Sequence, residues 1–480
     1  MSRMRRLPRP LVFGFLGAIV AFAGSWIPSF WGDEAASVLS AQRPLPSLFA
    51  MLTNVDAVHG TYYTFLHFWI GIFGSSELAV RLPSALAAGA AVAGTWIIAN
   101  RVAGARVAFF AAIVCVVLPR ITYMGSEGRA YAISTAIAVW LTALRLVLLE
   151  EENTSRRAWI AYSILLTVGI YFFLYVALVP VAHGIYIAIT RRDRLRRWLC
   201  ATALAAVAAS PIIVLGYLER QQVEFLIRRP PTVDGVLVGQ WFDNPVLAVA
   251  CWALIAVACV LAWRRRESRA VVALALPWLA VPTVVLLLMT VTVVPTYTLR
   301  YVSMSAPAVA ILVGVGIACI PRPALRGAAL ILVIALAVPS IAVQRTDFAK
   351  GEGSDWRQAS EYIASEAHPG DAVVFDESSR PSRRPRLALR LYPDSFAGLV
   401  DVGLKTPFGN TTGIWDVSVP ISDDPSRVAG FGTVWLLETT GSHDNRTATT
   451  LRELIRLGFV ETSHTLIHRT EIHEMTRSTP

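Results

Sequence analysis

The chain contains a long series of apolar runs, and many of them approach the length that a helix needs to cross a bilayer. About 20 apolar residues span the hydrocarbon core, and 55% of the 480 residues are hydrophobic. A soluble domain has too little interior to bury so many apolar side chains. The sequence therefore predicts a polytopic α-helical membrane protein with about eleven spans, near residues 11–30, 80–100, 106–119, 130–148, 158–174, 175–190, 199–217, 245–263, 270–291, 303–320 and 327–344.

Short arginine-rich segments between these runs predict the orientation of the chain. Loops that stay in the cytoplasm are enriched in Lys and Arg. The net charge of +10 therefore reflects topology rather than nucleic-acid binding. The N-terminus is predicted to be cytoplasmic and to begin with an uncleaved first span. Six segments fall on this side, namely the N-terminal "RMRR" and residues 101–106, 155–157, 191–197, 264–269 and 322–326.

The opposite, extracytoplasmic side receives longer polar segments. In the first of them, "PLPSLFAMLT" and "TYYTFLHFWIGIFG" predict helices in the membrane interface, with Tyr and Trp at the depth of the headgroups. The tail has two helical stretches, "DWRQASEYIASEA" and "ATTLRELIRLGF", and two strand-like runs, "DAVVF" and "GTVWLLE". We predict a transmembrane domain over 1–344 and a small extracytoplasmic α/β domain over 345–480. The segments on this side are 31–79, 120–129, 218–244, 292–302 and the tail.

Ionisable residues and tyrosines near the membrane are concentrated on the predicted outer side. The predicted spans carry almost no charge, apart from Arg145 and His183 near their cytoplasmic ends. A transporter keeps ionisable residues near the bilayer midplane. This distribution therefore favours an enzyme that acts on a head group at the surface. The candidate residues are Asp33, Glu34, Asp56, His59, Tyr62, Tyr63, Arg81, Glu127, Arg129, Tyr131, Arg300 and Tyr301.

Each motif also has a purely structural interpretation. The pair Asp33–Glu34 could cap a helix that starts at Ala35, and Asp56 and His59 could be a cap and a surface histidine. "SEGRAY" could hold a loop salt bridge, and "TLRY" a positive charge on the unexpected side. Together, however, acids and arginines at one surface suit a specific chemistry. A carboxylate takes the proton of a hydroxyl acceptor, and arginine binds a phosphate and neutralises it as it departs.

Four motifs resemble a known enzyme family. "GDEA" at 32–35, the aromatic stretch 55–87, "SEGRAYA" at 126–132 and "TLRY" at 298–301 resemble the GT-C glycosyltransferases of the protein O-mannosyltransferase and aminoarabinose transferase group. The resemblance covers about residues 10–345. It implies a GT-C-type fold and an inverting transfer of sugar from a polyprenyl-phosphate donor. Arg far outnumbers Lys, and Ala and Val are abundant, which is typical of proteins from GC-rich bacterial genomes. With the resemblance, this composition suggests an actinobacterial envelope enzyme.

The resemblance also implies roles for individual residues. Asp33 corresponds to the catalytic acid that engages the acceptor, with Glu34 as its partner. Arg129 and Arg300 are expected to bind the donor phosphate, as are Tyr301 and Arg81. Arg81 is the weaker candidate, because an arginine at the end of a span can simply extend to the interface. The remaining candidates, Asp56, His59, Tyr62, Tyr63, Glu127 and Tyr131, are assigned to the acceptor or the sugar.

The predicted function is a membrane glycosyltransferase that transfers a sugar, preferably mannose, to a hydroxyl of an envelope glycan, glycolipid or protein. Its active site and C-terminus lie outside the plasma membrane. No metal or other cofactor is predicted, because Asp56 and His59 offer two metal ligands without a third; a divalent metal is the less favoured alternative. Two further alternatives are arabinose in place of mannose, and a non-catalytic scaffold that binds an envelope glycan.

Overall fold

A computed structural model describes residues 8–150, 155–264, 266–440 and 447–477, and the chain divides into two compact units. The first, here called the membrane unit, comprises Met1–Ser25, Ala57–Tyr62 and Arg81–Val343. The second, here called the α/β unit, comprises Trp26–Asp56, Tyr63–Val80 and Gln344–Pro480.

Helices dominate the described residues. Their bounds are α1 (Arg9–Phe22), α2 (Gly32–Gln42), α3 (Leu45–Leu52), α4 (Gly60–Phe73), α5 (Glu77–Val117), α6 (Pro119–Gly125), α7 (Tyr131–Glu150), α8 (Arg156–Phe172), α9 (Val179–Thr190), α10 (Leu195–Ala208), α11 (Ser210–Leu218), α12 (Pro245–Arg264), α13 (Arg266–Thr292), α14 (Ala306–Cys319), α15 (Pro323–Val343), α16 (Trp356–Glu366), α17 (Arg386–Leu391) and α18 (Thr447–Arg456).

Several helices of the membrane unit have the length and composition of membrane spans. Each of the eleven predicted apolar segments overlaps a helix, so the polytopic α-helical fold is confirmed, while the number of spans stays a prediction. The helix pair Arg192–Ala208 and Ser210–Leu218 is bent by 56°, and it adds one long span if both helices cross the membrane as a single broken segment. Shorter apolar helices cover Arg9–Phe22, Leu174–Thr190, Pro245–Leu261 and Ser303–Cys319. In the described part of the chain, four helices are long enough alone, namely Glu77–Val117, Tyr131–Glu150, Arg269–Thr292 and Pro323–Val343.

Two of the predicted spans lie within the single long element α5. Its backbone is not helical at Gly104, which has φ 81° and ψ 170°. This conformation is essentially restricted to glycine. The helix is therefore interrupted within "RVAGAR", at the predicted boundary between the spans 80–100 and 106–119.

Small residues bring the helices of the membrane unit close together. A Cβ atom on Gly89 of α5 would overlap the backbone of Gly14 in α1. A Cβ atom on Gly314 of α14 would lie 2.6 Å from the backbone nitrogen of Ala111 in α5. Close backbone approach of this kind is a usual basis of helix association in membranes. Helix α14 is buried from Ala306 through Ile317 and forms the centre of the unit.

The α/β unit contains a five-stranded sheet in the order β2-β1-β5-β7-β6. Strand β1 is parallel to β2 and β5, whereas β7 is antiparallel to both β5 and β6. The small C-terminal α/β domain is thus confirmed, with the predicted "DAVVF" and "GTVWLLE" as its strands β1 and β5. The strands are β1 (Ala372–Phe375), β2 (Val400–Asp401), β3 (Leu404–Thr406), β4 (Val417–Ser418), β5 (Thr433–Thr439), β6 (Phe459–Leu466) and β7 (Thr470–Arg477), of which β3 and β4 form a separate pair.

The predicted helices of the first outer segment are α3 and α4. They expose large apolar side chains, including Phe49, Phe68 and Ile72. Such a surface is typical of helices that lie in a membrane interface, and their position at the interface stays a prediction. Helix α2 precedes them and starts at Gly32.

Candidate active site

The predicted site residues are divided between the two units. Eight belong to the membrane unit, which contains His59, Tyr62, Arg81, Glu127, Arg129, Tyr131, Arg300 and Tyr301. Four belong to the α/β unit, which contains Asp33, Glu34, Asp56 and Tyr63.

The adjacent carboxylates Asp33 and Glu34 lie in the first turn of α2. The N-cap of this helix is Trp31, and its side chain makes no capping hydrogen bond. The helix therefore starts three residues before the predicted Ala35, and the pair lies in its first turn rather than at its cap. The partial positive charge of the helix N-terminus still stabilises both carboxylates.

The two carboxylates have different surroundings. Neighbouring residues of a helix point about 100° apart, so one helix start presents the two acids in different directions. Glu34 is fully buried, whereas Asp33 is partly exposed. The Ser37 hydroxyl donates a hydrogen bond to the backbone carbonyl of Asp33 at 3.1 Å. Asp33 is therefore the carboxylate that an incoming hydroxyl group can reach.

Gly32 fixes the start of α2 against the 3₁₀ turn Pro381–Arg383. A Cβ atom at Gly32 would overlap the carbonyl oxygen of Ser382 and lie 2.9 Å from its Cβ. Only glycine allows this approach. The glycine of "GDEA" is thus explained by packing, and this packing holds the backbone that carries Asp33.

Asp56 and Tyr63 are joined by a hydrogen bond within the α/β unit. The Tyr63 hydroxyl donates to Asp56 Oδ2 at 2.8 Å, and Tyr63 is fully buried. Asp56 has φ 59°, in the left-handed region that Asp tolerates better than most residues. The hydrogen bond therefore holds the carboxylate of Asp56 in one orientation.

In the membrane unit, His59 is paired with Arg129. The Arg129 Nη2 atom lies 3.2 Å from His59 Nε2, and Arg129 is buried. A guanidinium group only donates, so His59 Nε2 accepts and the ring proton is on Nδ1. The carboxylate of Glu219 accepts a hydrogen bond from the backbone N–H of Ala57 at 3.0 Å. This bond fixes the first residue of the 3₁₀ turn Ala57–His59. The sequence analysis missed Glu219.

Glu127 and Arg300 form a loose ion pair. The distance between Arg300 Nη1 and Glu127 Oε1 is 3.8 Å, longer than a charge-assisted hydrogen bond. Glu127 is fully buried, whereas the side chain of Arg300 is 27% exposed. The Arg300 guanidinium also lies 5.9 Å from the ring centroid of Tyr131. "SEGRAY" and "TLRY" are thus brought together, as predicted from their placement on the same side.

Tyr131 and Tyr301 belong to a group of four aromatic rings. The ring centroids of Tyr131 and Tyr301 are 6.3 Å apart, and Tyr301 lies 5.2 Å from Tyr175 and 5.6 Å from Phe173. Phe173 and Tyr175 were not predicted. Their signal was the aromatic "YFFLY" at the turn between two predicted spans.

Arg120 is a further arginine of this region that sequence reasoning missed. It donates hydrogen bonds to the carbonyls of Gln240 at 2.8 Å and Gly239 at 2.9 Å. Burial lowers the pKa of Arg120. The carboxylates of Glu127 and Asp243 oppose this shift, whereas the positive charge of Arg300 adds to it. We call Arg120, Arg129, Arg300 and Glu127 the arginine cluster. Arg120 and Arg300 both interact with the charge of Glu127 or of each other, and Arg129 follows Glu127 in the same loop.

Arg81 and Tyr62 are both buried in the membrane unit. Arg81 is 0% exposed, and its Nη1 atom donates to the carbonyl of Ser25 at 2.6 Å. The interpretation of Arg81 as a side chain that extends to the interface is therefore wrong. Its contact with Ser25, just after α1, holds the guanidinium group in place, and its assignment to the donor phosphate stays a prediction. Tyr62 is 1% exposed.

Part of the chain matches a known family by sequence. Residues 61–215 match the family model described as dolichyl-phosphate-mannose-protein mannosyltransferase. This range contains most of the aromatic stretch, Arg81 and the "SEGRAYA" motif. A comparison with curated proteins finds no significant match.

Three solved structures share the fold. ArnT from Cupriavidus metallidurans, bound to undecaprenyl phosphate, has a TM-score of 0.57 at 14% identity, over 96% of this chain and 97% of that one. The oligosaccharyltransferase from Archaeoglobus fulgidus, in complex with Zn and sulfate, has a TM-score of 0.52 at 9% identity, over 92% and 69%. The arabinofuranosyltransferase AftD from Mycobacteria has a TM-score of 0.54 at 14% identity, over 100% of this chain and 40% of that one.

These comparisons agree with the resemblance: the family model contains most of the aromatic stretch and the "SEGRAYA" motif, whereas "GDEA" and "TLRY" lie outside its range. Identities of 9–14% establish the fold alone, and the family model adds a match by sequence over residues 61–215. Together they support glycosyltransferase activity. The chain thus has the fold of ArnT and AftD, and residues 61–215 resemble the dolichyl-phosphate-mannose-protein mannosyltransferases.

Proposed function

We propose that the protein transfers a sugar, preferably mannose, from a polyprenyl-phosphate donor to a hydroxyl group of an envelope glycan, glycolipid or protein. The observation that carries this proposal is the arginine cluster, in which Arg300 lies 3.8 Å from the buried Glu127 and Arg129 lies 3.2 Å from His59. Several guanidinium groups in one region suit a phosphate, which they bind through charge-assisted hydrogen bonds. The proposal includes the predicted orientation, with the N-terminus in the cytoplasm and the active site outside.

The reaction is assigned to residues of this chain alone. The carboxylate of Asp33 takes the proton of the acceptor hydroxyl. The acceptor oxygen then forms a bond to the anomeric carbon, and the bond between that carbon and the phosphate oxygen breaks on the opposite face, which inverts the configuration. Glu34 supports Asp33 from its buried position. Arg129 and Arg300, together with Tyr301, neutralise the negative charge that develops on the departing phosphate.

The other predicted residues are assigned to binding. The rings of Tyr131 and Tyr301 offer an apolar surface for a sugar, next to His59 and its partner Arg129. Asp56, held by Tyr63, is assigned to the acceptor. Tyr62 was predicted on the same side, and its burial suits a supporting role. Glu127 was also predicted on the acceptor side, but its pairing with Arg300 suits the orientation of a guanidinium group toward the donor phosphate.

The comparisons support the donor class. The solved ArnT is bound to undecaprenyl phosphate, and a structure of the Archaeoglobus fulgidus oligosaccharyltransferase contains a dolichol-phosphate. The description of the matched family names dolichyl-phosphate-mannose, which is why mannose is favoured here. Arabinose is the alternative sugar, because AftD shares the fold.

The test is a donor assay with purified protein in lipid nanodiscs. Radiolabelled polyprenyl-phosphate mannose and polyprenyl-phosphate arabinose are supplied in turn with an envelope fraction, and both transfer and donor hydrolysis are measured. We expect turnover of the mannose donor, and a large loss of turnover in the Asp33→Asn control. Turnover of the arabinose donor alone would mean that the donor is polyprenyl-phosphate arabinose rather than polyprenyl-phosphate mannose. The absence of turnover with either would favour the scaffold alternative.

A second arm of the same assay tests for a catalytic metal. We expect that neither Mg²⁺ nor Mn²⁺ is needed for turnover, because a carboxylate base can activate a hydroxyl group without a metal. If EDTA abolished turnover and Mn²⁺ or Mg²⁺ restored it, Asp33, Asp56 and His59 would be metal ligands instead.

A further inference from the structure

A cavity of about 460 Å³ lies between α1 and α5 in the membrane unit. Ligand-binding clefts in proteins have volumes of this order, with mostly apolar walls and a few polar groups. Here the walls are apolar apart from one arginine, and none of the lining residues belongs to the predicted active site. The cavity is lined by Arg9, Val12, Phe13, Trp96, Ala105 and Phe109.

The interruption of α5 at Gly104 gives the cavity two of its walls. Trp96 stands before the interruption and Phe109 after it, so each part of α5 contributes a face, and α1 supplies the third wall. In a continuous helix these two side chains would be roughly 20 Å apart along the axis. A Cβ atom built at Gly104 would meet no atom within 4 Å, so the space beside the interruption is open.

Helices α1 and α5 are in close contact at one end of the cavity. A Cβ atom on Gly14 would lie 3.0 Å from the Cβ atom of Ala93, and one on Gly17 would lie 2.8 Å from a methyl group of Val92. No further group fits between the helices at this level. Arg9, in the first turn of α1, borders the other end of the cavity. The cavity is therefore a wedge between the two helices, closed at Gly14.

The apolar walls of this wedge suit an acyl chain. Val12 is 49% exposed and Phe109 is 44% exposed, although both lie on helices of the membrane unit. The rings of Phe13 and Phe109 meet edge to face, with centroids 6.0 Å apart. Exposed apolar side chains on a helix that spans a membrane contact lipid tails, which are as apolar as Leu. The wedge offers such a tail contact on several sides rather than on one.

Two arginines at this end of the membrane unit have no ion-pair partner among the described residues. Within the described part of the chain, no ion pair or hydrogen bond involves the side chain of Arg9 or of Arg106, and Arg106 directly follows the lining residue Ala105. Arg101, by contrast, is paired with Glu150 at 2.6 Å. Basic pockets between spans on the cytoplasmic side typically bind anionic lipid head groups. Charge complementarity thus favours a lipid with a negative head group over a zwitterionic one.

We propose that this wedge binds one anionic phospholipid from the leaflet that the N-terminus faces. Arg9 and Arg106 bind the phosphate of the head group, and one acyl chain lies along Val12, Phe13 and Phe109. With the predicted orientation this is the cytoplasmic leaflet, which has a negative surface potential. The bound lipid fills the wedge and holds α1 against both parts of α5. The proposal does not rest on the proposed sugar transfer, and its test uses no sugar donor.

The test is a lipid titration of the full-length, delipidated protein in detergent, followed by native mass spectrometry and thermal unfolding. The two probes are phosphatidylglycerol, which is anionic, and phosphatidylcholine with the same acyl chains, which is zwitterionic. We expect one phosphatidylglycerol molecule to bind per chain in preference to phosphatidylcholine. It should also raise the melting temperature, because a ligand that binds only the folded state stabilises it.

Substitutions at the arginines test the head-group contacts. One arginine near a membrane surface typically contributes about fivefold to the binding of an anionic lipid. Arg9→Gln and Arg106→Gln should therefore each weaken phosphatidylglycerol binding by roughly fivefold and leave phosphatidylcholine binding unchanged. The matched control is Arg101→Gln, which removes the same charge at a residue already paired with Glu150 and should leave the binding of both lipids unchanged.

Substitutions in α1 test the acyl-chain contacts. Val12→Trp places a large ring in the wedge and should abolish the preference for phosphatidylglycerol. Leu16→Trp is the matched control, because Leu16 lies about one turn further along α1, is 42% exposed and does not line the cavity. Both positions are exposed, so both variants should fold.

Three results would overturn the proposal. Equal binding of phosphatidylglycerol and phosphatidylcholine would mean that lipids only surround the helices without a specific site. An equal loss of phosphatidylglycerol binding in Arg9→Gln and Arg101→Gln would indicate a general effect of charge. Displacement of phosphatidylglycerol by an equimolar amount of polyprenyl phosphate would mean that the wedge binds a carrier lipid instead.

Discussion

Exposure distinguishes the two neighbouring acids of α2. Asp33 is partly open to its surroundings, whereas Glu34 is enclosed on all sides. A base must come within hydrogen-bonding distance of the proton that it takes. Only Asp33 meets this condition without a rearrangement of the helix, so we assign the proton transfer to Asp33 and the supporting role to Glu34.

The substitution Asp33→Asn tests this assignment. The amide keeps the shape of the side chain but cannot take a proton, so turnover should fall by roughly 10²- to 10⁴-fold. Donor binding, measured by titration with the polyprenyl-phosphate sugar, should hardly change.

Two outcomes would contradict the assignment. An active Asp33→Asn variant together with an inactive Glu34→Gln variant would exchange the two roles. If both variants melted at lower temperature but retained their activity per folded molecule, the acids would serve only the stability of the helix start.

Substitutions in the arginine cluster, in contrast to Asp33→Asn, should weaken the binding of the donor. Arg129→Ala or Arg300→Ala removes charge-assisted contacts worth about 1.5–3 kcal/mol. Donor affinity should therefore fall by roughly 10- to 150-fold in each variant. Arg101→Ala is the matched control, because Arg101 pairs with the exposed Glu150 at 2.6 Å and lies outside the cluster. An equal loss of affinity in the control would indicate a general effect of charge rather than a phosphate site.

Sequence reasoning selected candidate residues that stand in polar motifs and overlooked candidates in apolar surroundings. Arg129 and Arg300 were found because "SEGRAY" and "TLRY" interrupt apolar runs. Arg120 follows the apolar run "VCVVLP", and its partners are the backbone carbonyls of a segment about 120 residues away, so only the folded chain reveals them. Glu219 was missed for the same reason, since its partner Ala57 is 162 residues away.

At the scale of elements, the interruption of α5 at Gly104 yields a prediction about stability. No atom lies within 4 Å of a Cβ built at Gly104, so the cost of Gly104→Ala comes from its φ of 81° alone. We expect a loss of about 1–3 kcal/mol in stability. Gly327→Ala in α15 is the control, since it also meets no neighbour but has no left-handed φ. It should be stabilising by roughly 0.5–1 kcal/mol.

Thermal unfolding in detergent checks both variants. A downward shift of the midpoint for Gly104→Ala and an upward shift for Gly327→Ala are expected. An upward shift of the midpoint for Gly104→Ala as well would mean that the backbone at Gly104 adopts a helical conformation and that α5 is continuous.

Hydropathy and periodicity predicted the elements well but not their ends and bends. The apolar run 199–217 was predicted as one span, whereas the structure has α10 and α11 bent by 56°. Pro211 stands at the start of α11. Proline lacks the N–H group that would continue the helix and clashes with the preceding turn. An apolar run specifies how much chain is buried in lipid, but local backbone chemistry decides where the helix breaks.

At the scale of the whole molecule, the compact units do not follow the order of the chain. Segments 26–56 and 63–80 belong to the α/β unit together with the C-terminal residues. The contacts responsible are specific. The Tyr392 hydroxyl accepts a hydrogen bond from the Phe30 N–H at 3.1 Å, and Arg357 bonds Glu77 at 3.0 Å. No local pattern in the sequence encodes such pairings, because each partner alone reads as an ordinary polar or aromatic residue.

The orientation of the chain is also a prediction about the whole molecule. Reporter fusions at Lys350 and Arg266 should report opposite compartments, because Lys350 follows the last predicted span and Arg266 lies in the arginine-rich segment 264–269. We expect the fusion at Lys350 outside and that at Arg266 in the cytoplasm. Signals from the same compartment would overturn both the number of spans and the assignment of the outer side.

The hydrogen bond between Phe30 and Tyr392 has a consequence for biosynthesis. These residues are 362 positions apart. Helix α2, which carries Asp33, begins at Gly32, two residues after Phe30. A chain leaves the ribosome from its N-terminus at about 5–20 residues per second. The segment with Asp33 therefore emerges tens of seconds before the strands and turns that hold it. Until Tyr392 has been synthesised, this segment lacks that partner, so the start of α2 gains this support only late in synthesis.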